Sequence, residues 1–343
     1  MQSIKFKNNQ LSYIDQTKLP SREVWSKCRN LEEGYRAIKS LAVRGAPLIG
    51  VFAAYCIAVH LKNLPLEKKA FFKDFNKAIN YLKSCRPTAV NLTWSLERLA
   101  TKAYINKDKD LLQIKAAILA EAKKIHKEDI LLCRRMADYG YKLIKRKDRI
   151  LTHCNSGFLA ASGEGTALAV IYKAAQVYKD IKVYVDETRP LLQGSRLSAW
   201  ELTKKKIPAV LICDNMAAHL MQHKNIDKIF VGADRITANG DIANKIGTYN
   251  LAIIAKYHRI PFYVVAPFSS FDLSLKSGKH IPIEERNPDE VRKVLGKVYI
   301  ASKTVSVRNP AFDITPNNLI TAIISDKGII YPPFIKNIKK ILG

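Results

Sequence analysis

Apolar and polar positions alternate over residues 3–15 (SIKFKNNQLSYID), a two-residue period that predicts a short hairpin, and the following DQTKLP supplies turn chemistry to close it. From about residue 31 to 147 the period lengthens. In NLEEGYRAIKSLAV, Asn30 stands as a helix N-cap with acids in the first turn, and apolar residues recur at spacings of three and four. APLIGVFAAYCIAVHLKNL, AVNLTWSLERLA and DLLQIKAAILAEAKKIHKEDILLCRRMADYGYKLI continue that rhythm, so this half reads as helical. At about residue 149 short apolar runs begin to alternate with helical stretches: RILTHC, IKVYVDE, AVLICD, KIFVGAD and PFYVVAP are each separated by a helix-like segment. Repeated strand and helix predict a parallel, largely buried sheet. The fold class is therefore α/β, a Rossmann-like parallel-sheet domain over 149–343 behind a smaller, mainly helical domain with a hairpin over 1–148.

The first four of those runs end at Cys154, Asp186, Asp214 and Asp234. Ligands of open α/β sheets bind outside the carboxyl ends of the strands, so Asp234 is expected at the edge of a pocket. No GxGxxG follows a strand. GEGTAL at 163–168 is too short and carries an acid where a pyrophosphate would lie, which disfavours a dinucleotide cofactor.

Length changes little: 343 residues suit two domains, or one large domain with an extension. Apolar residues form 48% of the chain without a run of about 18 free of charge, and MQSIKFKNNQ lacks the apolar segment of a signal peptide. A cytoplasmic protein with no membrane partner is expected. The net charge of +27 invites a nucleic-acid reading, yet lysine is scattered, and KKK at 204–206 and KNIKK at 336–340 are short solvated clusters. With no RNP, helix-turn-helix or zinc-finger pattern, no nucleic-acid partner is expected. The six cysteines contain no CxxC pair, which argues against disulfide frameworks and zinc ribbons. His219 and His223 lie four apart without a nearby carboxylate, so no metal site is assigned.

Three segments set a cation or an amide beside a helix start. In VRGAPLIG, Pro47 fits the first helical position and brings Arg44 and the amides of Gly45 and Ala46 near a positive dipole end. In CRPTAVNL, Pro87 does the same for Arg86. In NGDIANKIGT, Asp241 as N-cap puts Asn244 and Lys245 in the first turn of the next helix. Taken singly these are surface charges and loop closers; together they suit one phosphorylated small molecule. Cys154 precedes Asn155, Ser156 and Gly157, a setting that yields either an inert strand-end thiol or a reactive thiolate. His153 points to the opposite face if the strand persists, so it is not assigned as a catalytic partner.

As a set, IDQTKLP, AIKSLAVRGAPLIG, RPTAVNLTWSL, ILTHCNSG, VDETRPLLQGSRLSAWEL, DNMAAHLM, GADRITANGDIANKIGTYNLA and IPIEERNPDEV resemble the methylthioribose-1-phosphate isomerase family of methionine salvage, from about residue 11 to 330 in family order. The resemblance implies a cofactor-independent aldose-to-ketose isomerase, a phosphorylated sugar substrate and a homodimer. It implies Cys154 and Asp234 as the catalytic pair, with Arg44, Gly45, Ala46, Arg86, Gln193, Asn244 and Lys245 on the substrate. Ribose 1,5-bisphosphate and 5-deoxyribose 1-phosphate isomerases, and non-catalytic regulatory subunits of the same superfamily, are the alternatives. Phe158 and Glu164 depart from the family pattern and leave the room for the sugar's C5 substituent open.

Overall fold

The computed structural model describes residues 1–86 and 90–342. Contacts divide the chain into two compact units, residues 1–132 with 158–165, and residues 133–157 with those from 166 onward.

In the first unit, β1 (Ile4–Lys7) and β2 (Gln10–Ile14) form the hairpin, and β3 (Trp25–Cys28), which the alternation did not predict, adds an antiparallel third strand. Asn8 and Asn9 both take positive φ (51° and 56°), the backbone that a two-residue hairpin turn demands and that asparagine tolerates. Among the described residues five α-helices follow: α1 (Leu31–Lys39), α2 (Ala46–His60), α3 (Lys68–Ser84), α4 (Val90–Ile105) and α5 (Leu111–Gly140). The Asn30 cap forms as expected, its Oδ1 accepting from the Glu33 amide at 2.8 Å. α2 is apolar on every face and is buried on nearly every face, as the central helix of a core must be. Ala46–Asn63 is the one described helix long and apolar enough to cross a membrane, a length the charge-free count had passed over, and 67% of it is buried inside the protein. Gly50 lets α2 and α4 close up: a Cβ there would lie 2.6 Å from the Asn91 carbonyl.

The second unit contains β4 (Arg149–Thr152), α6 (Ala167–Val177), β5 (Lys182–Asp186), α7 (Ala199–Lys204), β6 (Ala209–Ile212), α8 (Met216–Gln222), β7 (Lys228–Val231), β8 (Arg235–Thr237), β9 (Ile242–Lys245), α9 (Thr248–Tyr257) and β10 (Phe262–Val265). After these come β11 (Phe271–Asp272), β12 (Lys293–Val294), β13 (Val298–Tyr299), β14 (Phe312–Thr315), β15 (Ala322–Ser325), β16 (Gly328–Ile330) and α11 (Phe334–Leu342). Seven strands form the main sheet in the order β16-β15-β10-β7-β4-β5-β6, parallel except for β16. Strands β10 and β15 are buried at every position, as the continuous apolar runs require, whereas β6 at the edge is half exposed. A smaller sheet, β11-β8-β9-β14, carries residues 235–245. The boundary between units falls inside α5 rather than at the change of rhythm near residue 149. The last turns of α5 pack on α6 instead: Gly140 leaves no room for a Cβ against Val170, and Asp138 pairs with Lys173.

Candidate active site

Within the second unit, parallel register sets the chemistry side by side. Thr152 lies opposite Phe230 of β7 and Val185 of β5, and Asp186 lies opposite Ile212 of β6. The loops bearing Cys154, Thr188, Asp214 and Asp234 therefore leave four neighbouring strands at one edge.

Cys154 turns the chain sharply, at φ 63°, directly after His153. Its amide donates to Thr188 Oγ1 at 2.9 Å, its carbonyl accepts from Ser198 Oγ at 2.7 Å, and its thiol donates to Gln193 Oε1 at 3.5 Å. Gln193 is buried and begins a π-helical turn over Gly194–Ser198, a form concentrated at functional sites. That turn presses on β5 so closely that a Cβ on Gly194 would sit 1.7 Å from the Asp186 carbonyl oxygen. Thr188 and Leu192, on the same loop, also hold positive φ (63° and 54°), which for a β-branched residue is strained backbone kept in place by its surroundings. Behind Cys154, the fully buried Glu201 accepts from Asn155 Nδ2 at 2.7 Å and from the Tyr172 hydroxyl at 2.7 Å. Ser156 Oγ is buried and finds no hydrogen-bond partner among the described residues.

Asp234 is half-buried just past β7, and its amide donates to the Ala243 carbonyl at 2.9 Å, tying it to β9. Asn244 and Lys245 lie in β9 and not in the first turn of a helix, which corrects the expectation from NGDIANKIGT. Asp241 is spent elsewhere: its carboxylate accepts from the amides of Gly278 (3.0 Å) and Asn317 (2.9 Å), so it knots two distant loops instead of capping a helix. The helix begins only at Thr248, whose hydroxyl accepts from Asn244 Nδ2 at 3.0 Å. Both residues are buried, and Lys245 Nζ donates to the Ala311 carbonyl at 3.0 Å while lying 4.7 Å from the centre of the Phe312 ring.

Asp214 spends both carboxylate oxygens on the amides of Thr188 and Arg189, each at 2.7 Å, and so braces the strained loop. Asp186 is buried against His153, with its Oδ2 3.0 Å from Nδ1. Burial pushes the Asp186 carboxyl up to about 6, with His153 opposing the rise. For His153 burial disfavours charge, but the bond and charge of Asp186 raise it above its usual value. His153, Asp186 and Asp214 are close enough to suggest a cation site, yet both ring nitrogens and both Asp214 oxygens already have protein partners. The rings of His219 and His223 lie tilted against each other, 4.3 Å between centres, at the end of the short α8, with His223 bonding the His219 carbonyl.

In the first unit, Gly45 has φ 94° and no room for a side chain, since a Cβ would lie 2.5 Å from the backbone of Ala160. Arg44 is buried beside it, Ala46 opens α2, and Pro47 stands one place into the first turn. Arg86 follows the end of α3, and the helix start expected at Pro87 lies outside the described residues.

A parallel α/β sheet whose carboxyl ends lead into loops bearing Cys154, Thr188, Asp214 and Asp234 has the layout in which open α/β sheets place their ligands. The chain belongs to the Initiation factor 2 subunit family, whose sequence profile matches residues 42–332. It is similar to the methylthioribose-1-phosphate isomerase of Acetivibrio thermocellus, at 50% identity over 99% of either chain. It is also 49% identical to the 5-deoxyribose 1-phosphate isomerase of Moorella thermoacetica, over 99% of this chain and 97% of that one. Among solved structures it resembles 5-methylthioribose 1-phosphate isomerase from Pyrococcus horikoshii OT3 (TM-score 0.93, 45% identity, covering 99% of this chain and 95% of that one). It also resembles translation initiation factor eIF-2B, subunit delta, from A. fulgidus (TM-score 0.89, 43% identity, covering 100% and 99%).

Proposed function

We propose that this chain is an aldose-ketose isomerase that converts 5-methylthioribose 1-phosphate to the corresponding 1-phosphoketose, methylthioribulose 1-phosphate. The observation that carries the reading is full-length identity of about half to enzymes of that name, joined to a cysteine and an aspartate on adjacent strand ends. The reaction is redox-neutral: C2 is oxidised as C1 is reduced, so the substrate supplies its own hydrogen. Because phosphate is esterified at C1, the ring cannot open to a free aldehyde. The C1 to ring-oxygen bond breaks with a proton delivered to the oxygen, and Asp234 is our general acid for that step. The C2 hydrogen then ends on C1 while the C2 hydroxyl loses its proton and becomes the ketone. Two routes satisfy that balance. Cys154 takes the C2 proton and returns it to C1, or the hydrogen crosses as hydride with Cys154 polarising the centre. Arg44, the Gly45 and Ala46 amides, Arg86, Gln193, Asn244 and Lys245 are read as the ligands of phosphate and sugar hydroxyls.

The same proposal includes a cytoplasmic homodimer with no nucleic-acid or membrane partner. A regulatory role like that of initiation-factor subunits is the weaker reading, since such a role has no use for the thiol and carboxyl pair. Incubation with methylthioribose 1-phosphate, 5-deoxyribose 1-phosphate and ribose 1,5-bisphosphate, following ketose formation, tests the assignment. The methylthio sugar is expected to show the highest kcat/KM. Turnover of the bisphosphate alone would move the assignment to that substrate, and no turnover of any of the three would return the chain to the regulatory class.

A further inference from the structure

Alternation predicts that His153 faces away from Cys154 if the strand continues, and the structure gives its ring a bracing task. The ring is buried and hydrogen-bonded at both ends: Nδ1 lies 3.0 Å from Asp186 Oδ2, and Nε2 lies 2.9 Å from the backbone carbonyl of Ile246. A carbonyl only accepts, so Nε2 carries a hydrogen. Ile246 directly follows Asn244 and Lys245, and the next residue, Gly247, lies close against the ring; a Cβ there would be 2.9 Å from Cε1. At the other end, Asp186 belongs to the strand end whose carbonyl accepts from Thr188 Oγ1 at 3.1 Å, and that same hydroxyl accepts the Cys154 amide. One imidazole thus joins the strand that delivers Cys154, the strained loop that supports it, and the turn that closes the Asn244–Lys245 strand.

We propose that His153 is a positioning residue which, braced by Asp186, fixes the Ile246–Gly247 turn and so sets Asn244 and Lys245 against the Cys154 turn. This rests on the isomerase reading. Other acids reach the ring: Asp214 lies beyond β6, and Asp313 on β14 accepts the Gly247 amide at 2.7 Å. A charge at His153 therefore faces carboxylates at the end of β5, just beyond β6 and on β14.

Two substitutions separate the ends of the clamp. His153→Gln places an amide donor near the Nε2 position and keeps a bond to Ile246, whereas His153→Asn reaches only toward Asp186. His153→Asn is expected to lower kcat/KM for methylthioribose 1-phosphate about 100-fold, with KM rising, the scale of loss from small misplacements of binding groups. His153→Gln should recover roughly tenfold of that loss. If both variants keep the wild-type melting temperature and are equally impaired, or if neither is impaired, the Ile246 clamp is wrong. A third measurement needs neither variant nor turnover. In protein labelled with 15N-histidine, His153 Nε2 should show a protonated-nitrogen shift at pH 7, as its contact with the Ile246 carbonyl requires. An unprotonated Nε2 overturns the proposal even in an active enzyme, and a protonated one in a protein inactive on all three sugars leaves the clamp standing while the isomerase reading fails.

Discussion

The two edges of the main sheet are built from the same strands and have opposite characters. At the amino edge, charges are paired plainly: Arg149 at the start of β4 holds Asp227 through two bonds of 2.8 and 2.9 Å, its own amide reaches the same carboxylate at 2.8 Å, and Lys228 pairs with Asp148. At the carboxyl edge Cys154, Thr188 and Leu192 hold positive φ, Asp186 Oδ1 and Ser156 Oγ are buried without partners among the described residues, and a histidine is buried with a carboxylate. Strain and unmet polar groups are destabilising, by about 1–3 kcal/mol for each such backbone position. Positive φ also occurs at the amino edge, at Lys147, Lys206, Lys224 and Arg259, but there on exposed residues, whereas at the carboxyl edge it falls on buried Thr188 beside the buried His153–Asp186 pair; that difference marks the carboxyl edge as the one whose geometry serves a ligand.

The sharpest break in that contrast is Asp234→Asn. It removes the proposed proton donor and should reduce turnover about 1,000-fold, within the range for a lost general acid, while phosphate binding and melting temperature stay close to wild type. Steady-state kinetics on methylthioribose 1-phosphate, with calorimetry using inorganic phosphate, would check it; near-normal turnover would remove Asp234 from the mechanism. Next in size is Gly194→Ala, still at the carboxyl edge. A Cβ 1.7 Å from the Asp186 carbonyl cannot be accommodated without moving the π turn, so the variant should lose about 1–3 kcal/mol of stability and displace Gln193 from the thiol. Urea denaturation reads the first effect and kcat/KM the second.

Asp227→Asn, at the amino edge, should do the least. The pair is one-third exposed, so after allowance for solvent screening the loss is about 1 kcal/mol, with kcat unaffected within twofold. Its pH signature is definite. The Arg149 hydrogen bond holds the Asp227 carboxyl below its ordinary value. A carboxyl depressed by folding contributes fully above its unfolded value of about 3.9, and that contribution fades as pH falls through the folded value. Wild type and variant should therefore differ in denaturation midpoint at pH 7 and converge in acid; an unchanged gap at pH 2.5 would mean the carboxylate is not the source.

Much of this was legible along the chain. Asn30 capped its helix because a cap is a local arrangement, satisfied within three residues. The strands of the parallel sheet were found because buried strands are continuously apolar and bounded by turns. Asp241 fails as a cap for the opposite reason: it sits where a cap would, but its partners, Gly278 and Asn317, are remote in sequence, and residues 242–245 pair with β8 and β14 as a strand. Alternation places His153 opposite Cys154 only while the strand continues, and the chain turns at Cys154, so its partners Asp186 and Ile246 lay beyond any local pattern. No local pattern announced Glu201 or Gln193, whose positions follow from a π turn pressed on β5; only the family resemblance pointed to Gln193.

What the sequence determined alone was the kind of element at most positions and the residues that end the strands, since periodicity, capping and turn preference act over a few residues. Tertiary structure decided which of those ends are neighbours, which polar groups are spent bracing loops, and where the backbone is held in strain. Those outcomes depend on register between strands and on hydrogen bonds spanning tens of residues, and neither leaves a trace in local spacing.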